Sequence, residues 1–155
     1  MMNKEEITLI RTTSDNIDFQ FLVALLDQDL RIRDGDEHAF YAQFNKIDTI
    51  KNVIVGYYNH TPIACGAFKK YDEERVEIKR MFVQPNFRGK GIAATILSAL
   101  ESWANELNYK HCVLETGKKQ PEAIALYQKS GYQIIPNYGQ YEHVENSVCM
   151  RKSLL

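Results

Sequence analysis

The residues best placed for chemistry lie in one short turn, "RGKGIA", from Arg88 to Ala93. It follows the strand-like run "RVEIKRMFV" and the stop "QPNF", and it opens a long run of helical periodicity. A helix N-terminus presents backbone N–H groups with no intrahelical acceptor, together with the positive end of the helix dipole. Gly89 and Gly91 let an anion approach the main chain closely, and Arg88 and Lys90 add positive charge beside it. The chemistry on offer is the binding of a phosphate or diphosphate.

Two readings of this turn rest on the residues alone. A glycine-rich loop can simply connect a strand to a helix. Alternatively, "GKGIAA" fits the G-x-G-x-x-G/A fingerprint of dinucleotide sites, with Glu115 at the end of the next strand. Against the second, the four residues "QPNF" separate strand from turn, the unit starts after an antiparallel hairpin, and no second βαβ half follows. No Walker A loop is present.

The elements that must position the turn follow from hydrophobic periodicity. "ITLIRTT" alternates as a first strand, with Ser14 or Asp15 expected to cap the helix after it. In that helix, from Ile17 to Leu30, Phe21, Leu22, Leu25, Leu26 and Leu30 predict one buried face. "HAFYAQFNKI" reads as a shorter second helix with Phe40, Tyr41 and Phe44 on one side. "NVIVGYY" and "PIACGAFKKY", separated by "NHT", predict a hairpin, and "RVEIKRMFV" a third strand beside it. Ile92, Ile96, Leu100, Trp103 and Leu107 mark a long helix, and "HCVLETG" a strand. Pro121 suits the first turn of a further helix that Gly131 ends, and "YQIIPNY" and "SVCMRKSL" supply two last strands. This order predicts an α/β (α+β mixed) fold in a single domain, residues 1–155.

Composition narrows the partners. Nineteen basic against twenty acidic side chains leave no polyanion-binding surface, so nucleic acid is not the expected partner. No run of roughly 18 apolar residues and no signal-like N-terminus is found, which points away from membranes and towards the cytoplasm. Cys65, Cys112 and Cys149 are scattered in apolar segments and are expected to be buried, reduced thiols. The four histidines lack metal-motif spacing, so no metal is expected.

"RGKGIA" resembles the acyl-CoA pyrophosphate loop of the GNAT superfamily of N-acyltransferases, [RQ]-x-x-G-x-[GA], through Arg88, Gly91 and Ala93. "VEIKRMFVQPNF" is similar to that superfamily's central strand, and "PEAIALYQKSGY" to its following helix. The resemblance is strongest from about Val53 to Tyr132 and implies a mixed, twisted sheet of about seven strands with helices on both faces. It implies acetyl transfer from acetyl-CoA to a primary amine, in a ternary complex without a metal. The amides from Arg88 through Ala93, including Gly89, Lys90 and Ile92, would bind the pyrophosphate, and the main chain of Met81, Phe82 and Val83 would pair with the pantetheine arm.

Tyr127 matches the family's general acid, and Glu77 its general base or an amine-binding carboxylate, with Glu115 in reserve. Gln120 stands where many members have asparagine and is expected to contact pantetheine, with Lys118 and Lys119 near the 3′-phosphate. The acceptor would sit across the sheet near Asp34, Asp36, Glu37, Tyr138, Tyr141, Glu142 and Glu145, acids among aromatics that suit a small cation. Homodimers are common in the superfamily, although no interface is specified here. A non-catalytic acyl-CoA-binding module would use the same loop as a sensor.

Overall fold

The structure, a computed structural model, describes residues 6–34 and 49–155. The expected helix over residues 38–47 lies outside the described residues, as do Asp36, Glu37 and the side chain of Asp34. Among the described residues seven strands form one sheet in the order β1-β2-β3-β4-β5-β7-β6. They are β1 (Ile7–Thr12), β2 (Asn52–Tyr58), β3 (Thr61–Lys70), β4 (Arg75–Val83), β5 (His111–Gly117), β6 (Gln133–Ile135) and β7 (Ser147–Ser153). Three helices accompany them: α1 (Ile17–Asp34), α2 (Ile92–Glu106) and α3 (Pro121–Lys129).

All pairings are antiparallel except β4 with β5. A single parallel pair cannot build the two βαβ halves of a dinucleotide fold. On one face the larger core cluster joins Ile96, Leu97 and Leu100 of α2 and Tyr127 of α3 to Val76, Ile78 and Leu114 of the sheet. On the other, Phe19, Leu22 and Val23 of α1 pack on Val53, Val55 and Phe82. Cys65, Cys112 and Cys149 are free and buried, and burial pushes the thiols of Cys65 and Cys112 up to about 12.

Several local expectations shift. The cap of α1 is Asn16, whose Oδ1 accepts the Phe19 amide at 2.9 Å, rather than Ser14 or Asp15. Ser14 is buried and already committed, its Oγ accepting the Ile50 amide at 2.9 Å. The buried face of α1 is carried by Phe19, Leu22 and Val23, while Phe21 is 49% exposed, because the helix is rotated by about one residue from the expected stripe. In the β2–β3 hairpin the turn is two residues long, Asn59 and His60, both at positive φ (49° and 65°), as a right-twisted hairpin demands. Strand β6 is cut to three residues because Pro136 has no N–H to continue the ladder. Among the described residues no helix is long and apolar enough to cross a membrane, and no cluster of three His, Cys, Asp or Glu side chains could hold a metal.

Candidate active-site cleft

Strand β4 is the pivot of the site. Cys65 pairs with Phe82 and Ala67 with Lys79, so Gly66 alone faces both Arg80 and Met81, a β-bulge. Arg80 takes the left-handed conformation, φ 61°, that this insertion requires. The extra residue flips the alternation of the strand. Val76 and Ile78 face the α2 side, but beyond the bulge Phe82 joins the α1 side and Val83 the α2 side.

The same bend ends the parallel ladder, whose register runs only over Arg75–Glu77 against His111–Val113. Strand β5 stays with β7 along its whole length, so β4 and β5 diverge from Ile78 onward. The gap holds two cavities. A cleft of about 580 Å³ is lined by Met81 to Val83, Arg88, Gly89, Gly91 to Ala93, Gln120 and Tyr127. A smaller cavity of about 130 Å³ lies on the α1 side, walled by Glu77, Lys79, Arg80, Glu115 and Tyr141. Both are lined by Leu26, Met81, Gln120, Ala123 and Tyr127, which mark where they meet.

The expected anion turn closes the far end of the cleft. Gly89 and Gly91 sit at φ 76° and 78°, where side chains are disfavoured, and a Cβ built on Gly89 would meet nothing within 4 Å. Gly91 is the N-cap of α2, so the first-turn amides of that helix open onto the cleft without a side-chain cap. Arg88 is held at the wall: its Nε donates to the Val83 carbonyl at 2.8 Å, and its guanidinium lies 5.4 Å from the Phe82 ring centroid and 3.6 Å from Asp29. Asp29 therefore offsets part of the charge that Arg88 brings to the cleft. Lys90, Lys118 and Lys119 are exposed and line neither cavity. Lys129 does line the cleft, and its position seven residues after Glu122, another lining residue, is the helical spacing that could have found it.

Tyr127 is 7% exposed at the junction, and burial first, then the Glu115 carboxylate, push its phenol well above the ordinary tyrosine range. It stays protonated and able to donate. Glu77 is held on both oxygens: the Tyr138 hydroxyl donates to Oε2 at 2.5 Å, and Lys79, two residues along the same strand, lies 3.5 Å from Oε1. The Ser147 hydroxyl donates to Glu115 at 2.7 Å. Tyr138 is also packed edge-on against Tyr71 and Tyr141, at 5.2 and 6.0 Å between centroids. Of the acids and aromatics expected around the acceptor, Tyr141 lines the small cavity and Tyr138 holds Glu77, whereas Glu142 and Glu145 are exposed and line neither cavity. The bulged Arg80 and the Ser147 contact went unforeseen, since both come from strand register.

Comparison with known proteins agrees with this architecture. The model of the Acetyltransferase (GNAT) family matches residues 19–132. An IAA acetyltransferase from Azospirillum brasilense is 38% identical over 95 residues, which cover 61% of this chain and 62% of that protein. The match therefore spans about three fifths of that relative's length. A Klebsiella pneumoniae protein assigned as an acyl-CoA N-acyltransferase superposes with a TM-score of 0.79 at 29% identity, covering 96% of this chain and 98% of that one. A GNAT acetyltransferase from Elizabethkingia anophelis, solved with acetyl-CoA bound, superposes with a TM-score of 0.69 at 21% identity, covering 97% and 99%.

Proposed function

This chain belongs to the GNAT family of acetyltransferases, and from that premise we propose that it transfers an acetyl group from acetyl-CoA to the primary amine of a small acceptor, by direct attack within a ternary complex. The observation that carries this reading is the junction of two cavities at Met81 and Tyr127, one ending at the glycine turn and the other at two carboxylates.

The large cleft fits coenzyme A in shape and in donors. First-turn amides of α2 and the main chain at Gly89 and Gly91 receive the diphosphate, where the helix dipole favours negative charge. The main chain of Met81 to Val83, turned away from β5 by the bulge, pairs with the pantetheine arm as an added strand would. Gln120 contributes at the pantetheine end and Lys129 at the cleft wall. This puts the thioester at the cavity junction, with the Met81 amide directed at the carbonyl oxygen on which charge develops.

In the small cavity the acceptor amine, in its neutral form, attacks the thioester carbon. A C–N bond forms, the C–S bond breaks, and the thiolate takes the proton of the Tyr127 hydroxyl. The raised affinity of that phenol for its proton keeps the acid loaded at neutral pH. Tyr138 and Lys79 occupy both oxygens of Glu77 and fix its orientation, which suits it to binding the amine. Glu115, whose carboxylate faces Tyr127, takes the proton the amine loses and returns it to the phenol after thiol departure. Buried, free thiols suit the reducing cytoplasm in which we place the reaction.

The test is Tyr127→Phe, assayed by thiol release with an amine panel and by acetyl-CoA binding calorimetry. We expect kcat to fall by roughly 10²–10⁴-fold, the usual contribution of a positioned general acid, with cofactor affinity kept. An unchanged kcat removes Tyr127 from the chemistry. Acetyl-CoA binding without thiol release from any amine would instead make the chain a binding module.

A further inference from the structure

Helix α3 carries Tyr127 to the cleft on a narrow footing, for Tyr127 is its one buried residue. The helix ends in a Schellman cap around Gly131, at φ 99°: the Tyr132 amide donates to the Tyr127 carbonyl at 2.9 Å, and the Gly131 amide to the Gln128 carbonyl at 3.1 Å. Such a cap brings the residue after the glycine against the residue whose carbonyl it closes. Here those two are Tyr132 and Tyr127, and their rings meet edge-on with 5.8 Å between centroids. The direction of the Tyr127 ring therefore follows that of Tyr132.

Tyr132 is in turn held from outside its own helix. It is 3% exposed, and its hydroxyl donates to Glu101 Oε2 at 2.9 Å. The other oxygen of Glu101 accepts from Lys152 Nζ of β7, also at 2.9 Å, and that ammonium lies 5.9 Å from the Tyr132 ring centroid. Glu101 is itself buried on α2 beside Leu97, Leu100 and Ala104. A carboxylate is seldom buried unless paired, and an apolar side chain would fill the place without desolvating a charge. What the carboxylate adds is direction, because each oxygen is committed to a partner on a different element. Helix α2 also opens at Gly91, on the anion turn.

Resting on the proposed acetyl transfer, we infer that Glu101 and Tyr132 are positioning residues, a clamp from α2 that holds the phenol of Tyr127 where the thiolate departs. Neither lines the cleft or the small cavity, so both act through Tyr127. The clamp ties the acid to the helix that receives the diphosphate, and the two groups that must meet at the thioester share one support.

The experiment pairs Tyr132→Phe, which keeps the ring and the cap but loses the hydroxyl, with Glu101→Gln, which loses the charge. Each is made in the parent and in Tyr127→Phe. In the parent, kcat for thiol release is expected to fall by roughly threefold to tenfold, less than the about 10²-fold of a 1 Å misplacement because the ring stays packed. In Tyr127→Phe the same changes should cost less than about twofold, since the group they position is gone. Retained acetyl-CoA affinity by calorimetry verifies the fold. A readout apart from turnover is the resonance of Tyr127 in protein labelled with carbon-13 at tyrosine Cζ, assigned by its loss in Tyr127→Phe; both variants should shift it. Equal losses of kcat in both backgrounds, no loss in the parent while Tyr127→Phe is impaired, or an unshifted resonance overturns the clamp and leaves acetyl transfer standing. A shifted resonance in a protein whose rate Tyr127→Phe does not change upholds the clamp and refutes the acid role.

Discussion

Gly66→Ala tests whether the bulge positions the site. Gly66 is the single residue opposite Arg80 and Met81, and a Cβ built there falls 2.6 Å from Met81 Sδ, 2.8 Å from Ile96 Cγ2 and 2.8 Å from Leu100 Cδ1. All three distances are well inside van der Waals contact. Ile96 and Leu100 are fully buried and have nowhere to retreat, so the methyl must push the more pliant Met81 thioether or spread β3 from α2. Overpacking of this kind costs about 1–3 kcal/mol. For a domain of this size that lowers Tm by about 2–12 °C, at about 2–4 °C per kcal/mol. Because the pliant neighbour is Met81, the loss should reach function: kcat falls more than the loss of folded protein explains, since misplacement by about 1 Å can cost about 10²-fold. Gly56→Ala is the control, since its Cβ would meet Ile96 and Leu9 at 3.3 Å and needs a shift of only tenths of an ångström. Thermal unfolding and thiol release on both variants decide the matter. If Gly66→Ala melts and turns over as the parent does, or Gly56→Ala is the worse of the two, the bulge does not act through Gly66.

Three further outcomes are expected. Gly91→Glu places a side chain at φ 78° and a negative charge at the anion turn; the strain costs about 1–2 kcal/mol, while acetyl-CoA affinity measured by calorimetry falls at least tenfold, and intact binding would refute the assignment of the turn. Tyr138→Phe removes the hydroxyl that donates to Glu77 and should lower unfolding free energy in urea by about 1.5–3 kcal/mol, with little additional loss when combined with Glu77→Gln. Burial, chiefly, raises the phenol pKa values of Tyr127, Tyr132, Tyr138 and Tyr141 above the ordinary value of 10.0. The folded chain thus holds protons that the unfolded chain releases, so stability present below pH 10 is lost as pH rises above it, and absorbance at the tyrosinate band should show these four ionising only with unfolding.

Much of the scaffold of the candidate site was legible because its signals are local. A glycine turn ahead of an apolar stripe specifies a helix start whatever surrounds it, and Tyr127 was identified by its place in a helix signature that also fixes its distance from Gly131. The strand "RVEIKRMFV" was read as a strand, and it is β4. Within it, nothing in "KRMFV" signals that an arginine will adopt a left-handed conformation and reverse the phase of the strand. Lys129, which no sequence signal singled out, lines the cleft because only the packing of a helix decides which of its faces meets it.

The sequence by itself determined the order of elements, the glycine turn and the helix that carries Tyr127, because periods of two and 3.6 residues and glycine at positive φ are properties of neighbouring residues. Tertiary structure alone decided which groups gather around the small cavity. Tyr138 reaches Glu77 across 61 residues, and Ser147 reaches Glu115 across 32. Such meetings depend on strand register and on where β4 parts from β5, and both are set by the packing of the whole sheet between its helices.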